Sequence, residues 1–306
     1  MKKTLKKILR LIRRIPWINY PFRKTFRLIG KFQKHWPVSG VINCSFDDIR
    51  FKMYNKCDDH IPDYFFYNIQ FHEDIIFRLM KLFSRKCAVI ADIGANTGFH
   101  TVIAAMANSS CKIYAIEPFE PNYQRLQKNI SLNNCDNVST IKHALGNGHG
   151  ELKFYVPSDD SITDVSSALE THGGRIYPEV DWKETTVSAI TFDELYKQTG
   201  KIDFFKCDVE GFETEVLNGA SGFFAANRPS FIIEISLDEQ KCIFFNEFAK
   251  KNGYHIYLIN NDGFYYLESI NNFDRWRNFL FTTYKDEHPF IPAKKIEEFV
   301  DACTKR

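Results

Sequence analysis

The chain has 306 residues, of which 44% are hydrophobic and 25% are charged, enough apolar material for a sizeable core in one domain with an extension. No apolar run approaches the ~18–20 residues that cross a bilayer, which excludes a transmembrane helix. The eight cysteines contain no CxxC pair, which excludes a zinc knuckle and a thioredoxin-type motif. Scattered cysteines in apolar runs, such as Cys87 and Cys207, indicate a reducing compartment.

The net charge of +2 conceals an uneven distribution of charged residues. Residues 1–46 hold 12 of the 40 lysines and arginines and no acid, so the rest of the chain has 28 basic against 38 acidic residues. This division suggests that the front of the chain meets an anionic surface or partner. The alternative is a solvated basic helix that only aids solubility.

Residues 1–37 are basic, and their first apolar residues follow helical spacing: Leu5, Ile8, Leu9, Ile12 and Ile15. The pattern predicts a helix that lies on an anionic membrane, or one that docks on the rest of the chain. Three arginines interrupt the apolar region that a signal peptide needs: Arg10, Arg13 and Arg14. The predicted location is therefore the cytoplasm, with contact to the inner face of the membrane.

From residue 87 onward, strand and helix patterns alternate. The predicted strands are 87–93, 112–116, 138–141, 201–207 and 230–235, and the predicted helices are 97–107, 120–133 and 212–219. Two further strands, 254–259 and 278–283, are predicted to close the sheet as a pair. Strands separated by helices predict a doubly wound, mostly parallel α/β sheet. The predicted regions are a basic extension and lead-in over 1–86, a domain over 87–285 and a C-terminal helix over 286–306.

The strongest motif is AVIADIGANTGFHT at residues 88–101, an apolar strand that runs into Asp92, a glycine-rich turn and a helix. Gly94 and Gly98 are expected to let the backbone pass close to a ligand, and the turn directs helix N-terminal amides into the crevice at the strand ends. Those amides suit the carboxylate of an amino-acid-like cofactor. Asp92 suits the cationic methionine end of S-adenosylmethionine and repels a diphosphate, which argues against a dinucleotide site.

The next two strands end in further candidate cofactor residues. The second ends in Glu117, 19 residues after Gly98, where a carboxylate accepts both hydroxyls of an adenosine ribose. The alternative for Glu117 alone is a charge that stabilises the N-terminus of the next helix. The third leads to His143 and Ala144, which are predicted to border the adenine. A surface position beside a turn is the alternative for His143.

The fourth strand ends in two acids, Asp208 and Glu210, and the fifth strand ends in Glu234. Ligands bind outside the carboxyl ends of parallel strands, so these acids are expected beside the reactive group of the cofactor. Unpaired buried acids are costly, so they should face a ligand or each other. The alternative is a helix start that Asp208 caps.

Together these segments resemble the FkbM family of methyltransferases over about residues 87–283. The resemblance rests on ADIGANTG, YAIEPFEPNYQRLQKNISLNN, HALGN, the SSA triplet at 166–168, TFDEL, FFKCDVEGFETEVLNGA and FIIEI. Its most specific piece is the K-x-D-V-E-G block, which is matched by Lys206, Asp208, Val209, Glu210 and Gly211. The resemblance implies a Rossmann-like seven-stranded sheet and S-adenosylmethionine as the methyl donor. It also implies O-methylation, often of sugar hydroxyls in glycans or natural products.

Carried over residue by residue, the resemblance implies a role for each candidate. The methionine part of the cofactor falls on the glycine-rich turn, at Asp92, Gly94, Ala95, Asn96 and Gly98, and Thr97 of the same turn is added as a cofactor-binding residue. Glu117 would bind the ribose, and Asp208 and Glu210 would lie where the cofactor meets the acceptor. His100 departs from the family, which commonly has an aromatic residue there, and either packs or contacts the acceptor.

A sugar hydroxyl is a poor nucleophile until a base takes its proton, and Asp208 or Glu210 is the predicted base. These acids with Glu234 form an alternative divalent-metal site. A metal is not favoured, because no histidine or further acid clusters beside them.

Residues 158–185 are polar and irregular, and a loop this long inside a domain is usually functional or disordered. We expect a lid over a sugar or glycan acceptor, with aromatic faces and a glycine hinge at His172, Gly173, Gly174, Tyr177 and Trp182. A variable surface loop is the alternative.

Three other functions compete with a sugar O-methyltransferase. A methyltransferase for RNA or another nucleic acid would grip phosphates with the basic front, but the chain has neither an Asn/Asp-Pro-Pro-Tyr/Phe motif nor a Pro-Cys nucleophile. A non-catalytic S-adenosylmethionine-binding module is disfavoured by the intact acids Asp92, Glu117, Asp208 and Glu210. An NAD-dependent oxidoreductase is disfavoured by Asp92, which would meet the diphosphate.

Overall fold

The computed structural model describes residues 38–56, 59, 61–67, 74–158, 181–235, 238–271 and 277–305. The helix predicted within residues 1–37 lies outside the described residues. Within the described ranges, no helix is long and apolar enough to cross a membrane.

The described strands and helices alternate through the middle of the chain. The strands are β1 (Ser39–Phe46), β2 (Ile49–Lys56), β3 (Val89–Ile93), β4 (Lys112–Ile116), β5 (Val138–Ile141), β6 (Ala144–Gly146), β7 (Gly150–Pro157), β8 (Trp182–Thr191), β9 (Phe204–Cys207), β10 (Ser230–Ile235), β11 (His255–Asn260), β12 (Gly263–Leu267), β13 (Arg277–Thr282) and β14 (Phe290–Pro292). The helices are α1 (Ile61–Tyr67), α2 (Asp74–Lys86), α3 (Phe99–Ala107), α4 (Glu120–Leu132), α5 (Phe192–Thr199), α6 (Glu213–Asn218), α7 (Ser221–Ala226), α8 (Glu239–Asn252) and α9 (Ile296–Thr304).

In the described part of the chain, nine strands form one sheet in the order β14-β12-β11-β13-β10-β9-β3-β4-β5. The five strands from β10 to β5 are parallel, and β13 is antiparallel to both of its neighbours. Helices α2, α3, α4 and α9 cover one face, and α5 to α8 cover the other. The predicted doubly wound, Rossmann-like fold is therefore confirmed, and the predicted closing pair is β11 with β13.

The structure adds two strands to the seven that were expected. β12 follows the turn at Asn261 and Asp262 and pairs with β11, and β14 pairs with β12 at the end of the sheet. β14 has three residues and ends in Pro292, while the strand at the opposite end, β5, has four. Both ends of the sheet are therefore short.

β7 and β8 form an antiparallel pair, and the start of β8 lies inside the segment that was predicted to be irregular. β8 begins at Trp182, which pairs with Pro157, so the prediction that residues 158–185 are irregular is wrong for its last four residues. The outer half of β8 is mostly exposed and polar on both faces, and this composition conceals the strand pattern. The proposed lid residues His172, Gly173, Gly174 and Tyr177 lie outside the described residues.

Phenylalanine side chains stack across the centre of the sheet. Phe205, Phe231 and Phe281 are in register on β9, β10 and β13, with ring centroids 4.6 and 4.8 Å apart. All three are fully buried. Neighbouring aromatic residues in register stabilise a sheet through burial and ring contacts, so this row supports the central strands that carry the site.

The hairpin of β1 and β2 packs on the domain through alternate residues. Its inward residues are buried and mostly apolar, and its outward residues are mostly exposed, as expected for a sheet with one solvated face. Phe51 of β2 and Phe65 of α1 contact Phe99 of α3, with ring centroids 6.2 and 5.4 Å apart. The acids of its turn, Asp47 and Asp48, form ion pairs with basic residues of α2.

Candidate functional site

The glycine-rich turn between β3 and α3 has a constrained backbone. Gly94, Asn96 and Gly98 have φ angles of 78°, 50° and 93°, the left-handed region that glycine and asparagine tolerate best. The amides of Gly94 and Ala95 both donate to the carbonyl of Ile116 at the end of β4, at 3.0 and 2.9 Å. These bonds hold the turn over the carboxyl ends of two adjacent strands.

The two glycines are required by neighbouring protein atoms. A Cβ at Gly94 would overlap the carbonyl oxygen of Asp208, and a Cβ at Gly98 would lie 2.6 Å from the side chain of Leu126. The expectation was a close approach to a ligand, whereas the structure shows close approaches to the loop after β9 and to α4. Gly94 thereby brings the glycine-rich turn against the loop that carries the two predicted catalytic acids.

Glu117 follows β4 and is 3% exposed. One carboxylate oxygen accepts from the amide of Asn96 and the other from the amide of Phe119, each at 2.9 Å. Burial raises the pKa of Glu117 to about 7, although both amide bonds oppose the rise. A carboxylate held in this way still has lone pairs for further donors, such as a pair of ribose hydroxyls.

Asp92 lies beneath the glycine-rich turn and is fully buried. Its Oδ2 accepts from the Thr101 hydroxyl at 2.6 Å, and its Oδ1 has no hydrogen-bond partner among the described residues. Burial raises the pKa of Asp92, and the nearby charge of Lys206 opposes that rise. Because its exposure is zero, Asp92 is placed to support the turn from below.

Lys206 of β9 is the registered neighbour of Asp92 on β3 and is 2% exposed. Its ammonium donates to Oδ2 of Asp208 at 2.8 Å. The lysine thus connects a fully buried acid to a partly exposed acid at the end of the strand. In the sequence, Lys206 was noted only as part of the K-x-D-V-E-G motif. Its position beside Asp92 depends on the register of two strands, which the sequence does not show.

Glu210 and Gly211 follow with φ angles of 55° and 101°, so the loop after β9 is left-handed at two successive residues. The amide of Gly211 donates to Glu213 at 2.9 Å, and its carbonyl accepts from Lys241 at 2.9 Å. Glu213 is fully buried, and Lys241 lies 3.6 Å from its other oxygen. The sequence missed this pair, because a contact between the starts of α6 and α8 has no local pattern.

Four other predicted residues have defined surroundings. Ala95 packs with Ala115 and Leu126. The Thr97 hydroxyl donates to Asp59 at 2.8 Å, so this side chain is engaged with the protein. Ala144 is buried, and Nδ1 of His143 is buried with no hydrogen-bond partner among the described residues, which leaves it available to a ligand.

His100 packs within the protein core. Its ring lies 4.6 Å from that of Phe77, and the residue is 9% exposed. Burial, together with the charge of Lys206, holds the pKa of His100 well below its usual value. His100 therefore occupies the position of the family's aromatic residue as a neutral packed ring, which favours the first of its two predicted roles.

Glu234 lies within β10, one residue beyond the registered pair Cys207 and Ile233, and is therefore beside the start of the Asp208 loop. In the described part of the chain, no group of three histidine, cysteine, aspartate or glutamate side chains is arranged to hold a metal ion.

The fold and the site define the class of protein. A doubly wound sheet with this strand order, a glycine-rich turn after its first strand and a buried acid after its second is that of the class I S-adenosylmethionine-dependent methyltransferases. The chain belongs to the FkbM methyltransferase family, because the family model described as "Methyltransferase FkbM domain" matches residues 92–287.

Solved structures with a similar fold are distant in sequence. A methyltransferase FkbM from Methylobacillus flagellatus has a TM-score of 0.43 and 16% identity, over 73% of this chain and 55% of that one. An rRNA methylase from Streptococcus thermophilus has a TM-score of 0.41 and 10% identity, over 70% and 96%. An O-methyltransferase from Bacillus cereus in complex with SAH has a TM-score of 0.39 and 11% identity, over 69% and 81%.

This chain therefore spans just over half of the Methylobacillus structure. Comparison with curated proteins gives no match.

Proposed function

We propose that the chain is an S-adenosylmethionine-dependent O-methyltransferase whose acceptor is a hydroxyl of a sugar or glycan. The observation that carries the proposal is the contact of two loops at the carboxyl edge of the sheet. Gly94 of the cofactor turn lies against the carbonyl of Asp208, which begins the loop that holds Glu210. A methyl donor on the first loop therefore lies next to carboxylates on the second.

The described residues fit the cofactor. Glu117 offers a buried carboxylate to the ribose, and His143 offers the adenine a buried nitrogen that has no hydrogen-bond partner among the described residues. The backbone of residues 94–98 would hold the methionine part, supported from below by Asp92. When bound, S-adenosylmethionine supplies an activated methyl group on its sulfonium.

The two carboxylates have different surroundings, which suggests different roles. Lys206 forms an ion pair with one oxygen of Asp208, which fixes this carboxylate and suits it to anchor an acceptor hydroxyl. Glu210 is then the base that takes the hydroxyl proton. The hydroxyl oxygen must be held at ~3–3.5 Å from the methyl carbon, so positioning and proton removal together account for the chain's contribution.

A sugar hydroxyl fits this pair of acids because its proton has to be removed, and carboxylates hydrogen-bond neighbouring hydroxyls. The β7–β8 hairpin adds aromatic side chains of the kind that stack on sugar rings. Trp182 is half-buried, and its Nε1 has no hydrogen-bond partner among the described residues. The ring centroid of Phe154 lies 6.2 Å from that of Phe119, and Phe119 follows Glu117 by two residues.

We also propose that the front of the chain contacts an anionic membrane surface from the cytoplasmic side. The exposed face of β2 continues the positive charge of residues 1–46 with Arg50, Lys52 and Lys56. Lys128 of α4 lies over the Tyr54 ring on the same face, and burial with the charges of Lys56 and Arg125 lowers the pKa of Lys128. All seven described cysteines are free, which supports a reducing compartment.

Vesicle sedimentation tests the membrane contact. We expect binding to vesicles rich in anionic lipid and none to neutral vesicles, with loss at high salt. Charge reversal of Lys52 and Lys128 together should weaken the binding. Salt-dependent RNA binding in place of vesicle binding would favour a nucleic-acid acceptor.

Calorimetric titration with S-adenosylhomocysteine tests the cofactor assignment. We expect the wild-type protein to bind and the variants Asp92→Ala and Glu117→Ala to lose binding while keeping their fold. Glu287→Ala is the control, because this exposed acid follows the antiparallel β13 and lies at the opposite edge of the sheet. Binding would justify a screen of nucleotide sugars and glycans, and a folded protein that does not bind would overturn the proposal.

A further inference from the structure

The lead-in, defined as residues 38–67 with β1, β2 and α1, lies outside the region that the FkbM family model matches. The sequence likewise separates it from the predicted methyltransferase domain. The structure nevertheless joins it to the glycine-rich turn at three points, which lie on both sides of Gly98.

The first point is a buried hydrogen bond between Asp59 and Thr97. The Thr97 hydroxyl donates to Oδ2 of Asp59 at 2.8 Å, and the other Asp59 oxygen accepts from the amide of Ile61 at 2.9 Å. Asp59 and Thr97 are each 3% exposed. A bond to a buried carboxylate is short and strong, so it restrains Thr97 firmly.

The second point is Asn129 of α4, which is fully buried between the lead-in and the turn. Its side-chain nitrogen donates to the carbonyl of Thr97 at 2.7 Å. Its side-chain oxygen accepts from the amide of Tyr54 on β2 at 2.7 Å. Thr97 is therefore held at its hydroxyl and at its carbonyl, and both restraints lead back to the lead-in.

The third point is Phe99, the first residue of α3 after the turn. Phe65 of α1 stacks on it at an interplanar angle of 10°, and Phe51 of β2 meets it edge-on at 84°. Thr97 and Phe99 are the two neighbours of Gly98, the left-handed residue that caps the start of α3. The lead-in therefore restrains the chain immediately before and immediately after Gly98.

We propose that the lead-in is a working part of the cofactor site, with Asp59 as a positioning residue that orients the backbone of the glycine-rich turn through Thr97. Thr97 stands between the left-handed residues Asn96 and Gly98, so its orientation determines where the amides of the turn point. The amides of Gly94, Ala95, Asn96 and Gly98 donate within the protein. The amide of Thr97 is therefore the donor assigned to the methionine carboxylate, and the inference rests on that assignment. Losing the Asp59–Thr97 bond should let the turn relax and weaken cofactor binding.

Two conservative variants of Thr97 make the test specific. Thr97→Val removes the hydroxyl and keeps the shape, whereas Thr97→Ser keeps the hydroxyl. We expect Thr97→Val to weaken S-adenosylhomocysteine binding by about tenfold or more in calorimetric titration, and Thr97→Ser to recover most of the affinity. Hydrogen exchange at the amides of residues 94–98 should become faster in Thr97→Val and should stay unchanged in Thr97→Ser.

Asp59→Ala should weaken binding to a similar extent. Because the two residues act through one bond, the double variant Asp59→Ala/Thr97→Val should bind about as well as either single variant. Asp63→Asn is the matched control, since Asp63 is a half-buried acid of the same segment that accepts from the amide of Val38. Burial and the charge of Asp59 raise the pKa of Asp63 to about 8, so its neutralisation changes little near neutral pH.

Different results separate this inference from the cofactor assignment. A folded wild-type protein that does not bind S-adenosylhomocysteine would overturn the assignment and the inference with it. Wild-type binding that Thr97→Val leaves unchanged would overturn the inference alone. Equal losses in Thr97→Val and Asp63→Asn would show that the lead-in matters only for general stability, and would also overturn it.

Discussion

The ammonium of Lys206 and the carboxylate of Asp208 form an ion pair of 2.8 Å in which the lysine side chain is 3% exposed and the aspartate side chain 23%. The two residues are separated by one position, at the point where β9 ends and the acidic loop begins. Lys206 also lies in register with the fully buried Asp92. One buried cation thus serves two acids that belong to different parts of the site.

Removing that cation should be costly. Lys206→Met leaves Asp92 and Asp208 without their opposing charge, and we expect a loss of about 3–5 kcal/mol in the free energy of unfolding. Lys201→Met is the control, because Lys201 is exposed and its pair with Asp203 should be worth about 1 kcal/mol or less. Chemical denaturation of the three proteins measures both effects.

The same variant should become more sensitive to high pH. Lys206 opposes the rise that burial causes in the pKa of Asp92, so without it the folded protein holds that proton to a higher pH than the wild type does. Stability then falls as pH rises through this interval. Equal destabilisation at low and high pH would contradict the electrostatic explanation.

Glu117 should make cofactor binding depend on pH near neutrality. Its pKa is raised from 4.5 to about 7, and ribose hydroxyls donate to the charged form. We expect S-adenosylhomocysteine affinity to rise about tenfold between about pH 6 and pH 8, and Glu117→Gln to show weaker binding with a flat profile. Calorimetric titration across this range gives both curves.

Glu117 should also reduce the stability of the free protein at higher pH. The folded state keeps the proton between pH 4.5 and about 7, where the unfolded chain has lost it, so the free energy of unfolding falls as pH rises through that window. Glu117→Gln removes this titration, so its free energy of unfolding should stay flat across the same window. Denaturation curves in which the wild type gains stability across this window would contradict the assignment.

Gly94 should tolerate no side chain. In Gly94→Ala the new methyl group meets the Asp208 carbonyl at a left-handed position, so we expect a loss of more than about 4 kcal/mol, or failure to fold. Gly148→Ala is the control, because a Cβ there meets nothing within 4 Å, and it should stay within about 0.5 kcal/mol of the wild type. Thermal unfolding of both variants distinguishes a specific clash from a general intolerance of alanine.

Once an acceptor is found, the two loop acids should differ in their effect on methyl transfer. Glu210→Gln should lower kcat by about 10²–10⁴-fold while the protein still binds S-adenosylhomocysteine, as expected for the loss of a general base. Asp208→Asn should raise KM for the acceptor, because it loses the anchoring carboxylate. Full turnover in both variants, with a native fold, would rule out this chemistry.

Methyl transfer should survive treatment with EDTA. One oxygen of Asp208 is occupied by the Lys206 ammonium, which repels a divalent cation at the place where Asp208, Glu210 and Glu234 would bind it. Activity that disappears on chelation and returns with a divalent ion would restore the metal alternative.

The sequence was informative where the signal is local. The strands predicted at 138–141 and 230–235 have those bounds, and acids at the ends of consecutive parallel strands converge because all such ends meet at one edge. Contacts between distant segments have no comparable signature. Asp59 is 38 residues from Thr97, and Lys241 is 30 residues from Gly211, so neither contact was predicted.

Two further differences have local physical reasons. The start of β8 was missed because the outer half of this strand is mostly polar on both faces, which resembles a loop. The glycines were found and are predicted to lie beside a ligand, but the sequence does not show that the Asp208 carbonyl also lies in the space beside Gly94. A glycine in a motif therefore indicates that another group lies close to the backbone, but it does not identify that group.

The two short strands that end the sheet have a consequence for the protein in a crowded cell. An open sheet invites strands from other molecules to continue it, and long regular edges promote aggregation. Here one edge offers four residues, and the other offers three, the last of them Pro292, which has no amide hydrogen to donate. The nine-stranded sheet therefore carries little risk of edge-to-edge strand pairing between copies of the chain.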